Sequence, residues 1–238
     1  MKYLKITLLI LIFYVDTQAS GIFNLGLMAG AASDAGNVEK IAGDINLEMR
    51  EYQAAHPGTS VTEIETTYSP VFSANLAYIN DDLLIKLGWE YTSNVLYNPA
   101  GSIKPSGLPE NKVELDYSRF TFPVSFGIVI PLSNRSRFYF AGGLNMSYVL
   151  VKVKQSNPAA LTLYPDESNT FSAFVAGTHL KCGAETLIDR NYSFVMELTR
   201  YFGNPAKIKS ENENSEIFMS VNSFEITAGI NYNLDFKI

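Results

Sequence analysis

An all-β fold is the class this sequence predicts: an eight-stranded antiparallel up-and-down transmembrane β-barrel with a short helix in the first external loop. Three observations predict it. Segment after segment alternates apolar with small or polar residues, the period of a strand with two unlike faces. Connections between the segments alternate tight and long. The last segment, from Phe224 to Phe236, is long, flat and alternating; as a soluble edge it would template aggregation, whereas a strand that closes a barrel has no free edge.

Lys2 and Lys5 precede an apolar run from Ile6 to Val15, and Thr17-Gln18-Ala19 presents small residues where a signal peptidase cuts. Residues 1–19 are therefore expected to be a signal peptide and 20–238 an outer-membrane barrel domain. The apolar run is too short to span a bilayer as a helix. No acylatable cysteine stands at the junction, and the single cysteine, Cys182, excludes an internal disulfide.

The first strand, about Ser20 to Ser33, sets Phe23, Leu25, Leu27, Ala29 and Ala31 against Asn24, Gly26 and Gly30. The second, about Glu63 to Asn80, sets Ile64, Tyr68, Phe72, Leu76 and Tyr78 against Thr67, Ser69, Ser73 and Asn75. The third, about Asp82 to Tyr97, faces Leu83, Ile85, Leu87 and Trp89 outward and Lys86, Gly88 and Glu90 inward. The fourth, about Val113 to Leu132, puts Phe120, Phe122, Val124 and Phe126 outside and Arg119, Thr121 and Ser125 inside. Pro123 on its inner face removes a ladder donor and predicts a bulge or bend. The fifth spans about Arg137 to Lys154. The sixth, about Asn169 to Ile188, turns His179, Lys181 and Glu185 inward and Cys182 to the lipid side; the seventh, about Tyr192 to Gly203, turns Glu197 inward; the eighth turns Glu225 inward.

Asn80-Asp81-Asp82, Ser133 to Ser136 and Asp189-Arg190-Asn191 are tight polar turns after strands two, four and six. The other connections are long, and short turns opposite long external loops on an even strand number are the pattern of an outer-membrane barrel. A soluble barrel would have to bury the Phe and Tyr rows inside eight strands, which have no room for them.

The terminal order met by Thr227, Gly229, Tyr232 and Leu234 resembles the C-terminal signal read by the outer-membrane assembly machinery, with Phe236 in the aromatic part because the last residue is Ile238. The chain as a whole resembles the small eight-stranded outer-membrane proteins typified by the OmpA transmembrane domain, OmpX and OmpW, with the opacity-type porin-like proteins. The resemblance implies a Gram-negative outer membrane, a monomer, and contact with membrane lipid and lipopolysaccharide. It implies no substrate.

In the first loop, Val38, Ile41, Ala42, Ile45, Met49 and Tyr52 share one face of a helical spacing, with Asn37 as N-cap and Pro57-Gly58 past the end. Such a stripe predicts packing on the barrel rim; a lid, plug or partner surface is the alternative. The remaining long loops, Asn98 to Lys112, Gln155 to Ser168 and Asn204 to Ser220, carry no motif.

Lys86, Glu90, Arg119, His179, Lys181, Glu185, Glu197 and Glu225 would share one narrow lumen. Such charges must pair or be hydrated, so a salt-bridged plug is expected, with an OmpW-like channel for small molecules as the alternative. With 18 basic and 24 acidic residues and no basic patch, nucleic acid is not an expected partner. No cofactor is expected, there is no metal-ligand spacing, and the two histidines, His56 and His179, lack the His-x-Ser arrangement of the lipid A deacylases, so an outer-leaflet enzyme is not expected. The reading that remains is a barrel with a structural or surface-interaction role.

Overall fold

The computed structural model describes residues 21–33, 38–66, 68–80, 82–94, 99–156, 168–203, 206–209, 216–219 and 221–234. In chain order the elements are β1 (Ile22–Ser33), α1 (Val38–Ala55), β2 (Ser60–Thr62), β3 (Ser69–Asn80), β4 (Leu83–Ser93), β5 (Ala100–Lys104), β6 (Asn111–Pro131), β7 (Ser136–Gln155), β8 (Ser168–Leu187), β9 (Tyr192–Gly203), β10 (Ala206–Lys209), β11 (Glu216–Met219) and β12 (Phe224–Leu234). The proposed leader and Asn37 lie outside the described residues.

Eight of these strands close a ring in the order β6-β4-β3-β1-β12-β9-β8-β7, with β7 paired back to β6. All eight pairings are antiparallel, so every wall strand has two partners. Stepping across paired residues from Phe23, the path runs through Tyr78, Ile85, Phe126, Gly142, Leu180, Arg200 and Phe224 and returns to β1 at Ser33, ten residues further along. That stagger tilts the strands, as closure of a barrel requires.

Two of the tight turns are held by side chains. Ser133 Oγ accepts from the amides of Arg135 and Ser136 at 3.2 and 3.0 Å, and Asp189 Oδ1 accepts from those of Asn191 and Tyr192 at 2.7 and 2.8 Å.

The predicted bulge at Pro123 is absent. Leu87 pairs with Val124 and Glu90 with Thr121, one register on both sides of a gap in the ladder. Gly88 is what makes this possible: a Cβ on it would lie 2.7 Å from Pro123 Cγ. The proline ring occupies the space that the glycine leaves empty.

In the wall the apolar side chains point outward. Leu27, Leu144 and Phe174 are about seven-tenths exposed, and Phe122, Phe126, Trp89 and Phe140 about half. The polar partners in each alternation are buried, the reverse of a soluble protein and the arrangement that a lipid solvent imposes.

β6, β7 and β8 are 21, 20 and 20 residues long where the other wall strands have 11 or 12. Their extra length lies at the long-loop end, where β5 pairs with β6 and β2 with β5. Within this extension the faces keep their phase but exchange polarity. On β6 the outward residues pass from Lys112, Glu114 and Asp116 to Phe120, Phe122 and Val124, while the inward ones pass from Val113, Leu115 and Tyr117 to Arg119, Thr121 and Ser125. Lys154 of β7 pairs with Asp116 at 2.6 Å on the outward face. This marks where lipid gives way to water.

The apolar stripe of α1 fills the inward face of the extension. Val38, Ile41, Ala42, Ile45 and Met49 form one core with Leu115, Tyr117, Val149, Val151 and Phe171, all at most 5% exposed. Glu39 sits in the helix's first turn, suited to the positive end of the dipole, and the chain leaves through Gly58 at φ 87°. Asn46 then pins the exit: it donates to the Ile64 carbonyl at 3.0 Å and accepts from its amide at 2.8 Å. Ile64 is consequently buried in this core, and residues 63–66 are not the lipid-facing strand start that alternation predicted. Two of the long loops without a sequence motif contain strands, β5 in one and the paired β10 and β11 in the other.

Candidate functional site

The lumen is the candidate site, and the ladder phases decide who faces it. Lys86 and Glu90 on β4, Arg119 on β6, His179, Lys181 and Glu185 on β8, Glu197 on β9 and Glu225 on β12 all point inward, each at most 5% exposed. The structure brings seven of these eight residues together in three tiers, with His179 bonded apart from them.

In the middle tier Lys86 pairs with Glu197, which also accepts the Tyr139 hydroxyl. Lys181 lies 2.9 Å from Glu197 Oε2 and 3.5 Å from Glu90 Oε1, and Glu90 accepts the Tyr201 hydroxyl. Towards the external end Arg119 pairs with Glu225 and donates to Ser223 Oγ at 2.9 Å and Thr92 Oγ1 at 3.2 Å, its guanidinium 5.4 Å from the Tyr201 ring centroid. Towards the tight turns Glu185 accepts from Ser193 and from Arg137 Nε at 2.9 Å.

Three of these bonds run straight across the barrel. β4 and β9 are four places apart in the ring of eight, as are β6 and β12, so the Lys86–Glu197 and Arg119–Glu225 pairs and the Tyr201–Glu90 hydrogen bond each tie opposite walls.

Sequence reasoning missed Arg137, Tyr139 and the bonding of Tyr201. Arg137 stands beside a turn, where a cation is ordinarily solvated; only its inward phase on β7 could have flagged it. With it the buried or partly buried lumen charges balance among the described residues: Lys86, Arg119, Arg137 and Lys181 face Glu90, Glu185, Glu197 and Glu225. His179 instead hydrogen-bonds Ser125 Oγ through Nε2 at 2.7 Å.

Apolar tiers bound the ionic ones. Below, Met28, Ala77, Ile79, Leu84, Val129, Ala141 and Val195 pack around Tyr139; above lies the core that α1 completes. Chemically, Ser125 and His179 have the contact of a nucleophile and its base, but both are fully enclosed and no carboxylate bonds the other imidazole nitrogen. Among the described residues no group of His, Cys, Asp or Glu is arranged to hold a metal.

Of the residues expected to form an assembly signal, Thr227 faces the lumen and Tyr232 and Leu234 face outward. Gly229 lies where a Cβ would be 2.0 Å from the Leu27 carbonyl, so a close strand approach requires it. Phe236 lies outside the described residues.

No protein-family profile and no curated protein sequence matches the chain. Solved structures do. The outer membrane protein OprG of Pseudomonas aeruginosa is 13% identical with a TM-score of 0.51, the alignment covering 92% of this chain and 98% of that one. Neisserial surface protein A is 10% identical, TM-score 0.48, over 92% and 98%. The E. coli outer membrane protein W is 13% identical, TM-score 0.40, over 91% and 100%.

Proposed function

The chain has the fold of the small eight-stranded outer-membrane β-barrels, and we propose that it is a bacterial outer-membrane protein with a structural or surface-interaction role. In this reading the wall is a monomeric, ion-paired support embedded in lipid and lipopolysaccharide. The external sheet with α1 is the part presented to partners. The outer-membrane assembly machinery reads the terminal strand through Thr227, Gly229, Tyr232, Leu234 and Phe236.

One observation carries the reading against a conduit: the lumen charges balance within salt bridges, between two apolar tiers. A water path would have to cross both apolar layers and break these buried charge pairs. Planar-bilayer recording of the refolded protein tests it. The expected result is a barrel whose gel mobility changes on boiling and which shows no steady conductance steps; reproducible unitary steps from the wild type would overturn the plug and favour a small-molecule channel.

A further inference from the structure

Arg200 points out of the barrel. It is exposed on the lipid-facing side of β9, with Leu180 of β8 and Phe224 of β12 as its paired neighbours and Leu198 and Phe202 as the outward residues on its own strand. Among the described residues no carboxylate pairs with it; its guanidinium rests 5.6 Å from the Phe202 ring centroid. A charge in the lipid belt is disfavoured, less so near an interface, and a long side chain relieves it by reaching toward headgroups.

Arg200 also stands at one end of an apolar groove on the same wall, lined by Phe126, Phe140, Gly142, Leu180 and Leu198. The groove follows the hydrogen-bonded row Phe126, Gly142, Leu180, Arg200, Phe224. That row climbs from Phe23 at the tight-turn end to Ser33 at the long-loop end, so Arg200 lies toward the external leaflet and the groove descends from it. Gly142 is its floor, contributing no side chain. Thr178, exposed on β8 and paired with Phe202, places a hydroxyl on the external side of Leu180.

The geometry points to a site for one phosphorylated, acylated lipid of the outer leaflet, its phosphoryl group on the Arg200 guanidinium and one acyl chain along the groove. A guanidinium meets phosphate oxygens through two parallel N–H donors, and the groove offers an acyl chain apolar walls to pack between. The proposal rests on the outer-membrane reading above and adds a defined lipid contact to it.

The test is native mass spectrometry of the refolded protein in non-ionic micelles, titrated with a bis-phosphorylated acylated glucosamine disaccharide, its dephosphorylated analogue, or phosphatidylcholine. The wild type is expected to retain one copy of the phosphorylated lipid only. Arg200→Gln should weaken retention about tenfold, the scale of one charge-assisted contact, and Gly142→Leu should weaken it by filling the groove with Arg200 intact. Both variants should keep the boiling-dependent gel shift, and Arg200→Gln should not lower the denaturant midpoint in zwitterionic bilayers. Retention unchanged in Arg200→Gln, equal retention of the dephosphorylated analogue, or none by a heat-modifiable wild type would overturn the site. A preparation without the gel shift would overturn the membrane reading, and the site with it.

Discussion

Arg119 and Glu225 meet across the full width of the barrel, each about 1% exposed, one on β6 and the other on the strand diametrically opposite. Both are withdrawn from water, so the attraction between them offsets much of the cost of burying two charges.

Arg119→Ala should therefore cost about 3–5 kcal/mol of unfolding free energy in bilayers, the range for breaking a buried pair. Arg119→Ala with Glu225→Ala should recover a large part of that loss. A negligible cost for the single change, measured by urea titration in lipid vesicles, would mean that the lumen is hydrated.

The polarity exchange on β6 can be measured on one strand and one face. Val124→Arg, in the apolar belt, should cost about 2–4 kcal/mol. Glu114→Arg, ten residues away on the same outward face beyond the exchange, should stay within about 0.5 kcal/mol. Equal costs would show that the external sheet is not in water.

Much of this was legible in the sequence, and the rest was lost for specific reasons. Alternation alone located the wall strands to within a few residues except at Ile64, and it placed all eight lumen charges on the correct face. What it could not show was where each strand leaves the membrane. From Val113 to Tyr117 the apolar residues are the inward ones, from Phe120 onward the outward ones; a two-residue period looks the same on both sides of that change. Ile64 misled because a buried residue and a lipid-facing one are both apolar. Arg137 was missed because nothing in a turn-flanking arginine signals a carboxylate opposite it on the next strand.

Gly88→Ala should lose about 1–3 kcal/mol, as overpacking does, because the new methyl group meets the Pro123 ring. Adding Pro123→Ala should restore most of it. If the double variant is no better than the single one, the glycine is needed for some reason other than the proline.

The Glu48 carboxyl on α1 is held above its ordinary value of 4.5, chiefly by partial burial and then by Glu51 and Asp44. A carboxylate raised in the folded state binds its proton more readily there than in the unfolded chain. Its contribution to helix docking is then fully present below pH 4.5 and is lost as pH rises through the raised value. Glu48→Gln should accordingly slow amide exchange in α1 at neutral pH and flatten its dependence on pH just above 4.5. Unchanged exchange would remove Glu48 from that balance.

The core beneath α1 joins residues 38–49 to residues 113–175, and this sets an order of events. The helix precedes in the chain the strands it rests on, and those strands present a continuous inward apolar face only once they have paired with one another. Until then the helix has no surface to dock on. Docking of the helix thus waits on the pairing of the wall, and the burial of apolar side chains drives it.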